Sequence, residues 1–313
     1  MGFGFRDKGA TAGIAQVSNH MHYLRLGASL YVPATHLDIA EVATARKYPR
    51  LKSVIFDTED SVAADDLRFA YDNLQQMLHR LGDSQRRVPL IFIRVRNEFE
   101  LPRLFDLKGI ELIDGLVLPK FCRSNMEQYM MVDIGDKFYM PVLERDVFTT
   151  EALQHIRDFL LNYRDKVLSL RIGANDMLSS MGMRRDPTMT IYDIRVIDLA
   201  IANIVLTFKP CGFNITGPVW ESFSQKSKNH LQQEVALDLA NGLFGKTVIH
   251  PWQVDVVEEV YKVDRQEYAA ALKILDPDSP PVFKMFDRFH EKATHTNWAR
   301  TIIERARIYD LRD

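Results

Sequence analysis

Two cysteines in 313 residues, Cys122 and Cys211, stand far apart and outside any Cys-x-x-Cys pair. That excludes a disulfide framework and points to a reducing compartment. An excess of one charge is also missing: 40 Lys and Arg against 42 Asp and Glu give a net charge of -2. No basic block could track a phosphate backbone, so nucleic-acid binding is not expected. No apolar run approaches the roughly 18 residues of a membrane span, and MGFGFRDKGATAGIAQ lacks the basic-then-apolar order of an export signal. The expectation is a cytoplasmic protein without membrane contact. The nine histidines form neither HxxxH nor HExxH, which argues against zinc. The first strand-like segment, GASLYVPAT, carries a single glycine, so the glycine-rich turn of a dinucleotide-binding open sheet is absent.

What is present is a chain 46% hydrophobic, enough for a full-sized core. Eight apolar runs of strand length, each bounded by turn residues, occupy 26–32, 51–56, 88–95, 115–118, 137–143, 167–172, 213–219 and 245–249. Amphipathic segments of helical period lie between them, among them 36–48, 65–81, 150–163, 191–208 and 231–243. From Asp57 to His250 the strand-to-strand step averages about 32 residues, the size of one βαβ unit. Eight such units predict a closed (β/α)8 barrel over residues 1–254, with a short N-terminal extension. Residues 255–313, broken at DPDSPP, are expected to form a C-terminal helical appendage.

In such a barrel the chemistry sits at the carboxyl ends of the strands. Arg25 precedes the first predicted strand; the second, VIFDTEDSV, ends in Asp57, Glu59 and Asp60; the third carries Arg94 and Arg96. The fourth ends at Lys120, the fifth at Glu144, the sixth in GAND with Asp176, the seventh near Thr216 and Trp220, and the eighth at His250. Carboxylates, arginines and a lysine on one rim suit a small anionic substrate held with a hard divalent cation. Magnesium keeps much of its water and takes one or two protein carboxylates, and Glu144 and Asp176 are the first choice from position. Regular period-two alternation would place Asp57 and Glu59 on one face of the strand end, and Thr58 and Asp60 on the other.

These residues fall in motifs that resemble the citrate lyase beta subunit-like family of the HpcH/HpaI aldolase superfamily. RLGASLYVP is similar to its Arg-Ser-x-Leu-Phe-Val-Pro, FDTEDSV to Asp-Leu-Glu-Asp-Ala-Val, FIRVRN to Val-Arg-Val-Asn and LVLPK to Val-Leu-Pro-Lys. PVLER stands where Ile-Glu-Thr is expected, GAND matches Gly-x-x-Asp, and GKTVIHPWQ matches Gly-Lys-x-x-Ile-His-Pro-x-Gln. The resemblance implies a Mg²⁺-dependent carbon–carbon lyase with Glu144 and Asp176 as metal ligands and Arg94 on the substrate, Arg96 being an alternative register. It also implies a homotrimer or larger assembly. The sequence departs from the pattern at Arg145 (Thr in the family), at Thr216 (often Asp) and in KMFDRFHEKATHTNWAR.

The expected reaction is aldol-type cleavage or condensation of a β-hydroxy acid or its acyl-CoA thioester through an enolate. Glu59 is the first candidate for proton transfer, with Asp60 beside it. Lys120 is expected either to meet the substrate or to pair with the Glu59/Asp60 cluster, and Arg25 either to meet the substrate or to seal the barrel floor or pair with Asp60. Two other readings stand beside this one. The first is a barrel that binds metal and oxo acid without turnover, with Arg145 partly neutralising the site. The second is a CoA-independent oxo-acid aldolase with His36 as base.

Overall fold

The computed structural model describes residues 19–84 and 89–312. They form two compact units, residues 26–260 and residues 19–25 with 261–312. The expected boundary after residue 254 therefore falls inside a helix, Pro251–Tyr261, and the segment ahead of the first strand groups with the C-terminal residues.

The larger unit is a closed barrel of eight parallel strands in sequence order: β1 Ala28–Pro33, β2 Ser53–Asp57, β3 Leu90–Arg94, β4 Gly115–Leu118, β5 Phe138–Leu143, β6 Leu170–Ile172, β7 Ile215–Trp220 and β8 Lys246–Val248. Each overlaps a run identified from the sequence; Val88, the first residue of the third run, lies outside the described residues. Strands enclosed on both faces must be apolar nearly throughout, and in β2 every residue is buried. The barrel closes where Ala28 of β1 pairs with Lys246 of β8.

Helices α1 Ile39–Ala43, α2 Leu67–Gly82, α3 Leu101–Leu104, α4 Met126–Met130, α5 Thr150–Leu161, α6 Ala174–Ser180, α7 Arg195–Phe208, α8 Lys228–Ala240 and α9 Pro251–Tyr261 follow the strands. In α2 the buried residues Ala70, Tyr71, Leu74, Met77, Leu78 and Leu81 recur at three- and four-residue spacing, which makes one apolar stripe. Helix α5 starts where Thr149 Oγ1 accepts the Ala152 N–H, satisfying one of the orphan donors of a helix end.

In the smaller unit, α10 Arg265–Leu275 and α11 Lys292–Tyr309 share a core of Val263, Ala271, Ile274, Ala299, Ile302 and Ala306. These are the helices expected here, and between them, after the break at DPDSPP, lies a hairpin, β9 Val282–Met285 with β10 Arg288–Glu291. Pro280 and Pro281 stop helical continuation, and the two-residue turn Phe286–Asp287 has both φ angles positive, 52° and 59°. That is the geometry which joins twisted antiparallel strands. Among the described residues no helix is long and apolar enough to cross a membrane.

Candidate active site

The acidic turn begins where β2 stops. Asp57 accepts the N–H groups of Glu59 at 3.0 Å and Ser61 at 3.2 Å, and the Ser61 hydroxyl at 2.5 Å. The chain therefore curls back on its own carboxylate, as Asx turns do, and strand alternation ends at Asp57. This corrects the expected two-faced arrangement: Glu59 and Asp60 both reach one cation. Lys120 Nζ binds Glu59 Oε1 and lies 3.0 Å from Asp60 Oδ1.

Arg94 on β3, in register with Asp57, forks onto that carboxylate through Nε and Nη2, both at 2.6 Å. Its remaining nitrogen, Nη1, stands 2.7 Å from Glu59 Oε2. The approach is off the N–H axis, and Oε2 is buried with no hydrogen-bond partner among the described residues. Burial alone would raise the Asp57 pKa, but the hydrogen bonds and charge of Arg94 hold it below the usual range. For Glu59 burial prevails, helped by the charge of Asp60 against Arg94 and Lys120, and its pKa is raised. Arg96 Nη1 donates to the Val62 carbonyl at 3.0 Å, so this arginine buttresses the turn.

Lys120 follows β4 with φ at 52°, a left-handed conformation for a residue with a side chain, of the kind stored at functional sites. Its backbone N–H donates to Glu144 Oε1 at 2.6 Å, while its ammonium serves the acidic turn. Glu144, just past β5, is 4% exposed. Next to it comes Gly173 at the end of β6, where a Cβ would sit 2.0 Å from Glu144 Oε2. Glycine is thus required for the close approach. Asp176 follows in the first turn of α6. Burial, then the charge of Asp176, pushes the Glu144 pKa up to about 8.

Glu144, buried beside the charge of Asp176 with its pKa raised, marks a place where added positive charge is favoured. Among the described residues no group of three His, Cys, Asp or Glu side chains is arranged to hold an ion. Glu144 and Asp176 fit a hard cation that completes its shell with water or substrate oxygens.

Other expected residues have contacts of their own. Arg25 closes a 3-10 helix, Asn19–Arg25, of the smaller unit. Arg145 is exposed. His250 Nδ1 accepts the Trp252 N–H at 3.3 Å and its own N–H meets Gln253 Oε1 at 3.1 Å, so it opens α9. His36 accepts the Asp38 N–H at 3.1 Å in an exposed turn. Thr216 is buried with its hydroxyl toward the Leu170 carbonyl.

Two sets of residues escaped sequence reasoning. Inside the barrel, the ring of Tyr31 lies 5.2 Å from the Arg94 guanidinium and 5.5 Å from that of Arg171. Arg171 donates to Thr247 Oγ1 at 2.5 Å. Below β7 and β8, Glu234 and Asp238 of α8 meet Lys246 Nζ at 2.6 and 2.9 Å, and Arg185 Nη1 reaches Glu234 at 2.8 Å. The Tyr192 hydroxyl donates to Asp238 at 2.7 Å. Glu234, Asp238 and Lys246 are wholly buried. Gly217 leaves the space for this group, since a Cβ there would lie 2.3 Å from Asp238 Oδ2. The only signal was carboxylates four apart on a helix, which is equally the mark of a solvated face. Arg185 also packs on Trp220, 4.9 Å from its ring centre. Both line a cavity of about 1040 Å³ with Asn175, Arg184 and Glu221.

The sequence matches, over residues 20–311, the family described as C-C bond lyase of the TIM-barrel fold. A (3S)-malyl-CoA thioesterase of Cereibacter sphaeroides is 23% identical over 243 residues, covering 77% of this chain and 79% of that protein. The structure of CitE from Mycobacterium tuberculosis in complex with magnesium, acetoacetate and coenzyme A has a TM-score of 0.63 at 19% identity. That match covers 90% of this chain and 99% of the other. A citrate lyase structure from Burkholderia xenovorans has a TM-score of 0.68 at 16% identity, covering 92% and 93%. The motif resemblance, the closed barrel and the family match agree, and the chain belongs to the C-C bond lyase family of the TIM-barrel fold.

Proposed function

We propose that the protein is a Mg²⁺-dependent carbon–carbon lyase that cleaves or forms a β-hydroxy acid, free or as its acyl-CoA thioester, by aldol-type chemistry. The observation that carries this reading is Glu144: a buried carboxylate at the barrel mouth, beside Asp176, with its pKa pushed up to about 8. Glu144 and Asp176 would hold the magnesium ion, which supplies Lewis-acid stabilisation of the negative charge that develops on a substrate oxygen.

The chain's own residues divide the remaining work. Arg94 keeps Asp57 on two nitrogens, so a substrate carboxylate would compete with Glu59 for Nη1. Displacing Glu59 from that contact leaves it on Lys120, with a raised pKa suited to carrying a proton. Asp60, more than half exposed, supports the Lys120 ammonium from the solvent side. The cavity beside Asn175 has room for the part of the substrate beyond the reacting carbons.

A second reading has its own support, since the curated relatives are named (3S)-malyl-CoA thioesterase. In it, Glu59 would take a proton from water that attacks a thioester carbonyl. Incubation of the protein and Mg²⁺ with a panel of β-hydroxy acids and their CoA thioesters, with product analysis, separates the two. Lyase action yields two shorter carbon fragments, and hydrolysis yields free CoA with the acid intact. Binding without either product leaves a non-catalytic barrel. Loss of turnover in Glu144→Gln and Asp176→Asn is expected for the lyase; full turnover in both would overturn it.

A further inference from the structure

The barrel mouth holds a polar group with no part in the chemistry above. Tyr31 stands on β1 two residues before Pro33, whose Cα pairs with Asp57. The guanidinium groups of Arg94 and Arg171 lie within 5.5 Å of its ring centre, and the charges of Asp57 and Glu144 also reach the phenol. Arg171 is anchored on Thr247. Tyr31 is half-buried, and among the described residues its hydroxyl meets no hydrogen-bond partner.

A phenylalanine, the residue in the Leu-Phe-Val-Pro motif that this strand otherwise follows, would fill the same volume. A phenol instead places an O–H donor among charged groups, at a half-buried position where an incoming ligand oxygen can accept from it. Two guanidinium groups near the ring withdraw electron density and make the O–H a better donor to an anion.

The position of Arg94 says which ligand atom this is. An arginine normally takes a carboxylate with two parallel N–H bonds, but Asp57 already occupies Nε and Nη2. A substrate carboxylate at Nη1 needs its second donor from another residue, and Tyr31 lies against the same guanidinium. We propose that Tyr31 is a substrate-contacting residue whose hydroxyl, beside Arg94, donates to the carboxylate of a small oxo acid. This rests on the lyase reading of the site and adds to it the residue that completes anion recognition.

The test is Tyr31→Phe, with Mn²⁺ affinity and, in saturating Mg²⁺, pyruvate and oxaloacetate affinity measured by calorimetry beside wild type. The expected result is Mn²⁺ affinity within about twofold of wild type and oxo-acid affinity lower by about 10-fold to 100-fold. The midpoint of thermal unfolding without ligand should be equal or higher, because the variant loses no hydrogen bond of the free protein. Wild type that binds oxo acids in a Mg²⁺-dependent way, with Tyr31→Phe within twofold of it, overturns the role of Tyr31 alone. Wild type that binds neither oxo acid in Mg²⁺ overturns the lyase reading and this inference with it.

Discussion

Lys120 meets Glu144 through its main chain, N–H to Oε1 at 2.6 Å, and so leaves its ammonium to the carboxylates of Glu59 and Asp60. One residue thereby joins the proposed metal ligand to the proposed proton carrier. The left-handed φ of 52° is what lets the two ends of Lys120 face different partners.

Lys120→Met keeps the N–H and removes the ammonium. Turnover should fall by about 10²-fold, the scale of a misplaced acid–base group. Mn²⁺ affinity should hold or rise, because a positive charge close enough to Glu144 to repel a bound cation is gone. Calorimetry and a turnover assay on one preparation decide it; an unchanged rate would remove Lys120 and the pair it holds from the chemistry.

Glu144 makes the cation-free protein less stable as pH rises. Its pKa is about 8 in the folded chain against an ordinary 4.5, so the folded state keeps a proton that the unfolded state releases. Stability from this group is complete below about pH 4.5 and lost by about pH 8, on the order of 5 kcal/mol in all. Urea unfolding of wild type and Glu144→Gln in chelator should therefore diverge steadily from about pH 5 to pH 8, the variant gaining. Added Mg²⁺ should restore wild type at the upper end. Parallel pH profiles for the two proteins would show that Glu144 is not the group responsible.

Gly173→Ala sets a methyl carbon 2.0 Å from Glu144 Oε2. Either the carboxylate or the start of α6 must move, at about 1–3 kcal/mol. Mn²⁺ affinity should drop at least tenfold while the far-ultraviolet spectrum is retained. Retained affinity would mean that the Glu144 carboxylate, where it now lies, is not part of an ion site.

The ion group behind the cavity is tested by Lys246→Met. Glu234 and Asp238 are wholly buried, and removing their shared cation should cost about 3–5 kcal/mol. A loss under 1 kcal/mol in urea unfolding would show that water or rearrangement replaces the ammonium.

The barrel was legible because parallel strands write themselves as short apolar runs at βαβ spacing, and the rim because it falls where each run ends. VIFDTEDSV gave away its charge but not its shape. The curl of Glu59 and Ser61 onto Asp57 ends the alternation that a strand would have kept. Tyr31 and Arg171 were hidden for a different reason: each sits within a strand-like run, where only the closure of eight strands brings them together. The hairpin at Phe286–Asp287 was obscured by a turn whose positive φ values fall on residues without the usual glycine.

The seam between β7 and β8 pairs Gly217 with Lys246 but Trp220 with Val248, so three steps along one strand face two along the other. That extra residue bends the end of β7 and adds to its twist. Shortening the chain by one residue between Gly217 and Trp220 would square the register and remove the bend that seats the indole beside Arg185. Arg185 would then lose the shelf on which it lies. The roof of the cavity, though drawn from distant segments, thus depends on a miscount in a single pair of neighbouring strands.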